Sequence, residues 1–440
     1  MKRSIFFLAA LLTLSFAACS DENEPSSSND ATATQSGGEQ SGGGKPTEFT
    51  SPDAWEYIAH RNRLVIKVDT VPDFSDYTNV PWYDVRSSIT ELVLPSTLEY
   101  IGAYAFDGCK IEDLTLPASL KGIGKYAFSD CPNIGIVEIP SSVTEMGRSV
   151  FSGSGIRELT VNANVTKIPA NFCFGCTNLK KVVLPSTIQS ISECAFYKAT
   201  SLASINLPNS INRIDKKAFA YCNSFTYTKI LSSMSVGDSA YFSCSKLETV
   251  DFSGVKNMGE GVFQNCVALT SAKLGSGYII LPLRTFSGCE KLTTVTGMSD
   301  VTTFDRYAFY GCAALTTIPA PSNLTTIRDY AFANCTGFDK KLTFPSKLTS
   351  IYQLAFKGCT SITTIYLPNT LGSIGSSAFS NCSSLKFVYS RNSTPPTIES
   401  NTFNDINSYR ELYVPSAAAQ TKYKASTKWY NVFKTNIYIE

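Results

Sequence analysis

Apolar residues recur along this chain in a fixed order: two that alternate with polar neighbours, a proline, two more at wider spacing, then a small residue, an aromatic and a cysteine. The stretch from Ile111 to Cys131 shows the logic. Leu114 and Leu116 alternate with polar residues, the pattern of a strand with one buried face. Pro117 has no N–H to donate and ends that ladder. Leu120 and Ile123 turn inward along a crossing segment, and Gly124 eases the bend. Ala127 and Phe128 then open a tight turn, read as helical, that carries Cys131 into the core. Equivalent strands are legible at Leu92/Leu94, Val137/Ile139, Leu159/Val161, Val182/Leu184, Ile205/Leu207, Ile365/Leu367 and Leu412/Val414. From Phe225 to Pro321 prolines after the strand become rare and Gly-Ser pairs enter, which predicts wider, less regular turns.

The aromatic anchors return every 22 to 24 residues, at Phe106, Phe128, Phe151, Phe174, Phe196, Phe219, Tyr241, Phe263, Phe286, Phe309, Phe332, Phe356, Phe379 and Phe403. One rung cannot bury its own apolar residues, so the period predicts an array in which each rung packs only on its neighbours. Fourteen parallel strands at about 4.8 Å predict a body roughly 65 Å long. The frame L-x-L-P-x-x-L-x-x-I-x-x-x-A-F-x-x-C resembles the leucine-rich repeat of the BspA type, also called the Treponema pallidum type, over about residues 87 to 415. The resemblance implies an α/β repeat solenoid, a right-handed array with one parallel strand per rung and about 14 rungs. Several rungs depart from the frame. Phe151 is followed by Ser154 and Phe196 by Ala199, Tyr241 replaces the Phe, and one rung reads Asn171-Phe172-Cys173-Phe174-Gly175-Cys176.

The expected organisation is a signal peptide over 1–18, a lipidated Cys19 with a tether to residue 46, an N-terminal cap over 47–88, the solenoid over 89–415 and a C-terminal cap over 416–440. Trp55 and Trp82 are placed to cover the first rung, and Tyr423, Trp429, Tyr430 and Phe433 the last. Lys2 and Arg3 precede an apolar run from Ile5 to Phe16 that is too short to span a bilayer as a mature helix. Leu14-Ser15-Phe16-Ala17-Ala18-Cys19 resembles a bacterial lipobox, with Phe16 where Leu is usual. Ser20-Asp21-Glu22-Asn23-Glu24 resembles the acidic tag of Bacteroidota lipoproteins sent to the outer leaflet of the outer membrane. Together these resemblances imply an outer-membrane lipoprotein facing the cell exterior. Residues 25–46 are mostly Ser, Asn, Gln, Gly and Thr and read as a flexible tether.

Composition removes several function classes. The chain has 38 Lys and Arg against 36 Asp and Glu, so it lacks the basic excess that neutralising phosphates demands, and nucleic acid is not an expected partner. The single histidine, His60, lies in the N-terminal cap with no nucleophile elbow or cysteine motif beside it. No rung carries an acidic pair that breaks its frame as a grafted active site would. The reading is therefore not an enzyme, with no cofactor and no metal. Cys173-x-x-Cys176 is a lone pair without a second pair or a histidine, a poor metal set.

Cys109, Cys131, Cys222, Cys244, Cys266, Cys289, Cys312, Cys335, Cys359 and Cys382 share one frame position, where Ser154 and Ala199 also stand. The position asks for a small buried side chain, which predicts reduced, inert thiols. Neighbouring rungs do come within disulfide reach, so bridges involving Cys173, Cys176 or Cys194 stay open.

The outward residue between the two buried strand positions ends the array as Tyr366, Tyr389 and Tyr413, with Phe387 one strand position away. Exposed aromatics with a polar tip serve protein interfaces and carbohydrate platforms alike. Cross-strand stacking that only stabilises the sheet is the other reading. Family resemblance implies an adhesin for host matrix, host-cell or bacterial surface proteins; the alternative is a polysaccharide-binding component of a surface nutrient-uptake system.

Overall fold

The computed structural model describes residues 49, 52–230 and 233–440. The expected signal peptide, the expected lipidation site Cys19 and the expected tether lie outside them. From Thr50 to Glu440 the chain forms one compact unit, a parallel β-solenoid of about 15 turns with little helix. Strand residues alternate as the pattern requires: Val137 and Ile139 are buried while Ile136 and Glu138 face out.

Within each sheet of the solenoid, strands pair with the equivalent strands of neighbouring rungs. Ile136–Ile139 lies on Glu158–Val161, which lies on Lys181–Val183. The four strands from Tyr227–Lys229 to Thr294–Thr296 form one continuous ladder, and the expected irregularity of the stretch shows instead as a bulge at Met234/Ser235, a break in the short-strand ladder between Val255–Met258 and Ile280–Leu281, and the absence of a strand at Ile318-Pro319. The long-strand ladder is interrupted near Leu114, where Asp113 makes a single bridge to Glu91, between Ser204–Ile205 and Tyr227–Lys229, and at Ile318-Pro319. Proline at the outward position removes the N–H that pairing needs.

Most rungs carry a second strand of two residues, which a one-strand reading did not foresee. It falls on the Ile of the frame, as in Ser190–Ile191 on Arg213–Ile214 and Ser350–Ile351 on Ser373–Ile374. The turn that follows is not helical. Tyr104, Phe106 and Gly108 donate their N–H groups to Lys125, Ala127 and Ser129 of the next rung at 2.9, 2.8 and 2.9 Å, so this edge is a third backbone ladder. Two left-handed residues per turn, such as Tyr104 at φ 59° and Gly108 at φ 73°, break any helix. Helix is found at the C-terminal end, as α1 (Ala417–Ala425) and α2 (Thr427–Phe433). Short 3-10 turns lie in the N-terminal segment.

An aromatic spine runs through the core. From Phe196 to Phe403 each anchor ring stacks on the next at 5.0 to 6.0 Å. Trp82 stacks on Phe106 at 5.6 Å at one end, its indole N–H donating to the Ala105 carbonyl. Trp429 lies 5.8 Å from Phe403 at the other. The rung at 171–176 corrects the sequence reading: Phe174 is not a core anchor. The Cys173 N–H donates to Ala195 at the place where Phe151 donates to Phe172 and Phe196 to Ala218. Cys173 thus stands in the anchor position, and the buried Phe172, one residue earlier, packs edge-on against Phe151 at 5.5 Å.

The cysteine column has a reason beyond size. Ten thiols, from Cys131 to Cys382, donate to the carbonyl of the aromatic anchor in the preceding rung at 2.9 to 3.3 Å. That carbonyl already accepts one turn N–H, as Phe106 does from Cys109, and the thiol takes its second lone pair. Burial pushes the thiols of Cys109, Cys266 and Cys382 up to about 12. We expect the column thiols to stay unlabelled by a chromogenic disulfide reagent in the native protein and to react fully in denaturant; fast native labelling of several would contradict the packing.

Candidate binding surface

The sheet at the C-terminal end contains Lys341–Thr343, Thr364–Leu367, Phe387–Ser390, Glu411–Val414 and Ile437–Ile439, all parallel. Ile365, Leu367, Val388, Leu412 and Val414 point into the core and are fully buried, which turns the intervening residues outward. Register then places Tyr366 beside Tyr389, Tyr389 beside Tyr413, and Tyr413 beside Tyr438. The strand spacing is close to the thickness of an aromatic stack, so the rings lie face to face. Their centroids are 4.8 Å apart for Tyr366 and Tyr389 and 4.6 Å for Tyr389 and Tyr413; Tyr438 is tilted on Tyr413 at 5.7 Å. Sequence reading missed Tyr438, which sat in a tail taken only as a cap. The signal was the alternation Ile437-Tyr438-Ile439, one more strand of the same frame.

Both ring faces of Tyr389 and Tyr413 are covered by their neighbours. What the column offers to solvent is ring edges and hydroxyls. Tyr409 and Tyr413 both donate to Glu411 at 2.7 Å, and this bond, with burial, pushes the Tyr413 hydroxyl up to about 12. The hydroxyls of Tyr366 and Tyr389 have no hydrogen-bond partner among the described residues. Phe387 is half-buried on the same face, in register with Thr364 and Glu411. The end strand does not offer an open edge: Gln420 of α1 donates to the Ile437 carbonyl at 2.6 Å, and Ser416 caps that helix by accepting from the Ala419 N–H.

Other half-buried aromatics lie on the turn edge and were also missed. Phe174 stacks on Tyr197 at 4.9 Å, and Tyr197, Tyr221 and Phe242 follow edge-to-face at 5.4 and 5.3 Å. Tyr104 and Tyr126 stack at 4.9 Å, with Lys125 over the first ring and Arg148 over the second, and Tyr307 and Tyr330 stack at 4.8 Å with Arg284 over Tyr307. Two shallow grooves flank the short strands. One of about 490 Å³ is lined by Asp73, Tyr100, Lys125 and Glu145, the other of about 310 Å³ by Asp329, Tyr352, Gln353 and Glu399. No group of three or more His, Cys, Asp or Glu among the described residues can hold a metal ion, and no helix among them is long and apolar enough to cross a membrane.

The profile of the BspA type leucine rich repeat region matches this chain in six copies, over residues 83–172, 166–293, 256–386 and 339–431. The chain belongs to the BspA-type leucine-rich repeat family. Solenoids of this family are typically non-enzymatic, and leucine-rich repeat proteins commonly bind protein partners. Among solved structures, this BspA-type chain is similar to a leucine-rich repeat protein from Bacteroides ovatus, at 22% identity over 82% of this chain and 98% of that one, with a TM-score of 0.58. It is also similar to a leucine-rich cell surface protein from Faecalibacterium prausnitzii, at 23% identity over 73% of this chain and 95% of that one, with a TM-score of 0.42. No curated protein sequence matches the chain significantly. The first of these likenesses supports the solenoid fold, and family membership suggests a protein-binding or adhesin-like role.

Proposed function

We propose that this chain is a non-catalytic adhesin that binds a host or bacterial surface protein through the exposed sheet around Tyr366, Tyr389, Tyr413 and Tyr438. In this reading Cys19 is lipidated after removal of residues 1–18, and residues 20–46 tether the solenoid to the outside of the outer membrane. The closed tyrosine stack carries the choice of partner. A sugar ring packs on an open aromatic face, and the central rings have none to give. A protein surface meets edges and hydroxyls equally well, at small entropic cost because the stack is already ordered. Glycan capture is therefore the weaker alternative.

Size sets the role of the column. Five strands of about 13 Å at about 4.8 Å spacing present roughly 300 Å², whereas a stable partner covers about 800 Å². The tyrosines act as the anchor of a larger footprint that takes in adjoining rungs. The test is a side-by-side array of matrix proteins, cell-surface proteins and polysaccharides probed with the full chain. Saturable protein binding without a glycan signal is the expected result; saturable glycan binding alone would overturn it.

A further inference from the structure

We propose that Cys173 and Cys176 form a disulfide within their own turn, a covalent staple at the one rung where the aromatic spine is broken. Three observations carry this. The Cys176 N–H donates to the Cys173 carbonyl at 3.2 Å, and a turn closed by such a bond holds its first and fourth Cα atoms less than about 7 Å apart, inside the range a disulfide spans. Both side chains are fully buried on the inner face, and both are free thiols in the structure, so the pair is available to be joined. The rung also has an open need. Cys173 stands where every other rung has a ring, and among the described residues no ring contact joins Phe172 to Phe196.

The column cysteines have no such partner in their own turn, because an aromatic fills the position three residues before them. From Cys131 to Cys382 their thiols are spent on carbonyls of the preceding rung. Oxidation of the pair removes the S–H that Cys176 gives to the Phe151 carbonyl at 2.9 Å. That carbonyl keeps the Ser154 N–H at 3.1 Å, so the change leaves no orphaned acceptor.

The chemistry is exchange with a small organic disulfide, RSSR. One cysteine thiolate attacks a sulfur of RSSR and expels RS⁻; the second then attacks the mixed disulfide and expels another RS⁻. Two cysteine thiols and one RSSR become one protein disulfide and two RSH. Because both sulfurs are buried in the folded protein, the bond forms before the turn closes over them.

The test uses the full chain in two preparations, one refolded from denaturant in a buffer of oxidised and reduced glutathione and one produced in an oxidising compartment. Each is denatured in iodoacetamide without reductant and mapped by mass spectrometry. The expected result is loss of both alkyl adducts from the peptide holding Cys173 and Cys176, which is lighter by two hydrogens, while the column cysteines are alkylated. Alkylation of both residues in either folded preparation, or a bridge from one of them to any other cysteine, overturns the proposal. A Cys173→Ser variant must restore alkylation at Cys176; if it does not, the staple is not the one proposed.

Discussion

Phe309→Ala lowers the stability of the solenoid by about 3–5 kcal/mol, the range for removing a buried aromatic. The ring is fully buried between Phe286 at 5.5 Å and Phe332 at 5.0 Å, with Phe304 edge-on at 5.2 Å. Each ring pair adds about 0.5–1.5 kcal/mol beyond area burial, so the variant loses the cavity term and three ring contacts together. The position of the lesion matters as much as its size. Each rung is held only by its neighbours, so a weak interface in mid-array uncouples the rungs on either side. Urea unfolding followed by circular dichroism is expected to become broad or biphasic. A loss under about 1 kcal/mol with a single sharp transition would mean that the spine does not hold the array together.

Gly297→Ala has the next largest effect, for a different reason. Gly297 sits at φ +81°, and a Cβ there meets the Leu274 carbonyl oxygen at 1.9 Å. Backbone rather than a yielding side chain blocks the methyl group, so the turn after Thr294–Thr296 must move away from the rung below. Gly277 provides the internal control, with φ +94° and nothing within 4 Å of its Cβ. Gly277→Ala meets only the left-handed backbone penalty of about 1–2 kcal/mol. Gly297→Ala is expected to cost more than twice as much or to prevent folding, read as the difference in urea midpoints. Equal losses at the two sites would show that the turns yield freely.

The array, most strand positions and the aromatic anchors of thirteen rungs were legible because the period repeats one local pattern many times; the strand read at Leu114 and Leu116 did not form. Phe174 was misplaced because spacing counts rings and not backbone register. Phe151 to Phe174 to Phe196 is the more even spacing, yet the ladder puts Cys173 in the anchor position and lets Phe172 fill the core from one residue earlier. The second short strand was hidden because two residues are too few to show alternation. The thiol hydrogen bonds depend on a carbonyl in the preceding rung, a contact that no single repeat contains. At the surface, Tyr366, Tyr389 and Tyr413 were found because strand alternation aligns them; Tyr438 was not, because the segment between Val414 and Ile437 is helical and resets the spacing.

The most direct measurement is the affinity of the Tyr366→Ala, Tyr389→Ala, Tyr413→Ala triple variant for the protein ligand that the array identifies, taken beside its melting temperature. The account predicts a loss of at least about 2 kcal/mol in binding, some thirtyfold or more. The melting shift should be only the few degrees expected from losing exposed ring contacts. Unchanged affinity in a variant that stays folded would contradict it and place the binding surface elsewhere on the solenoid.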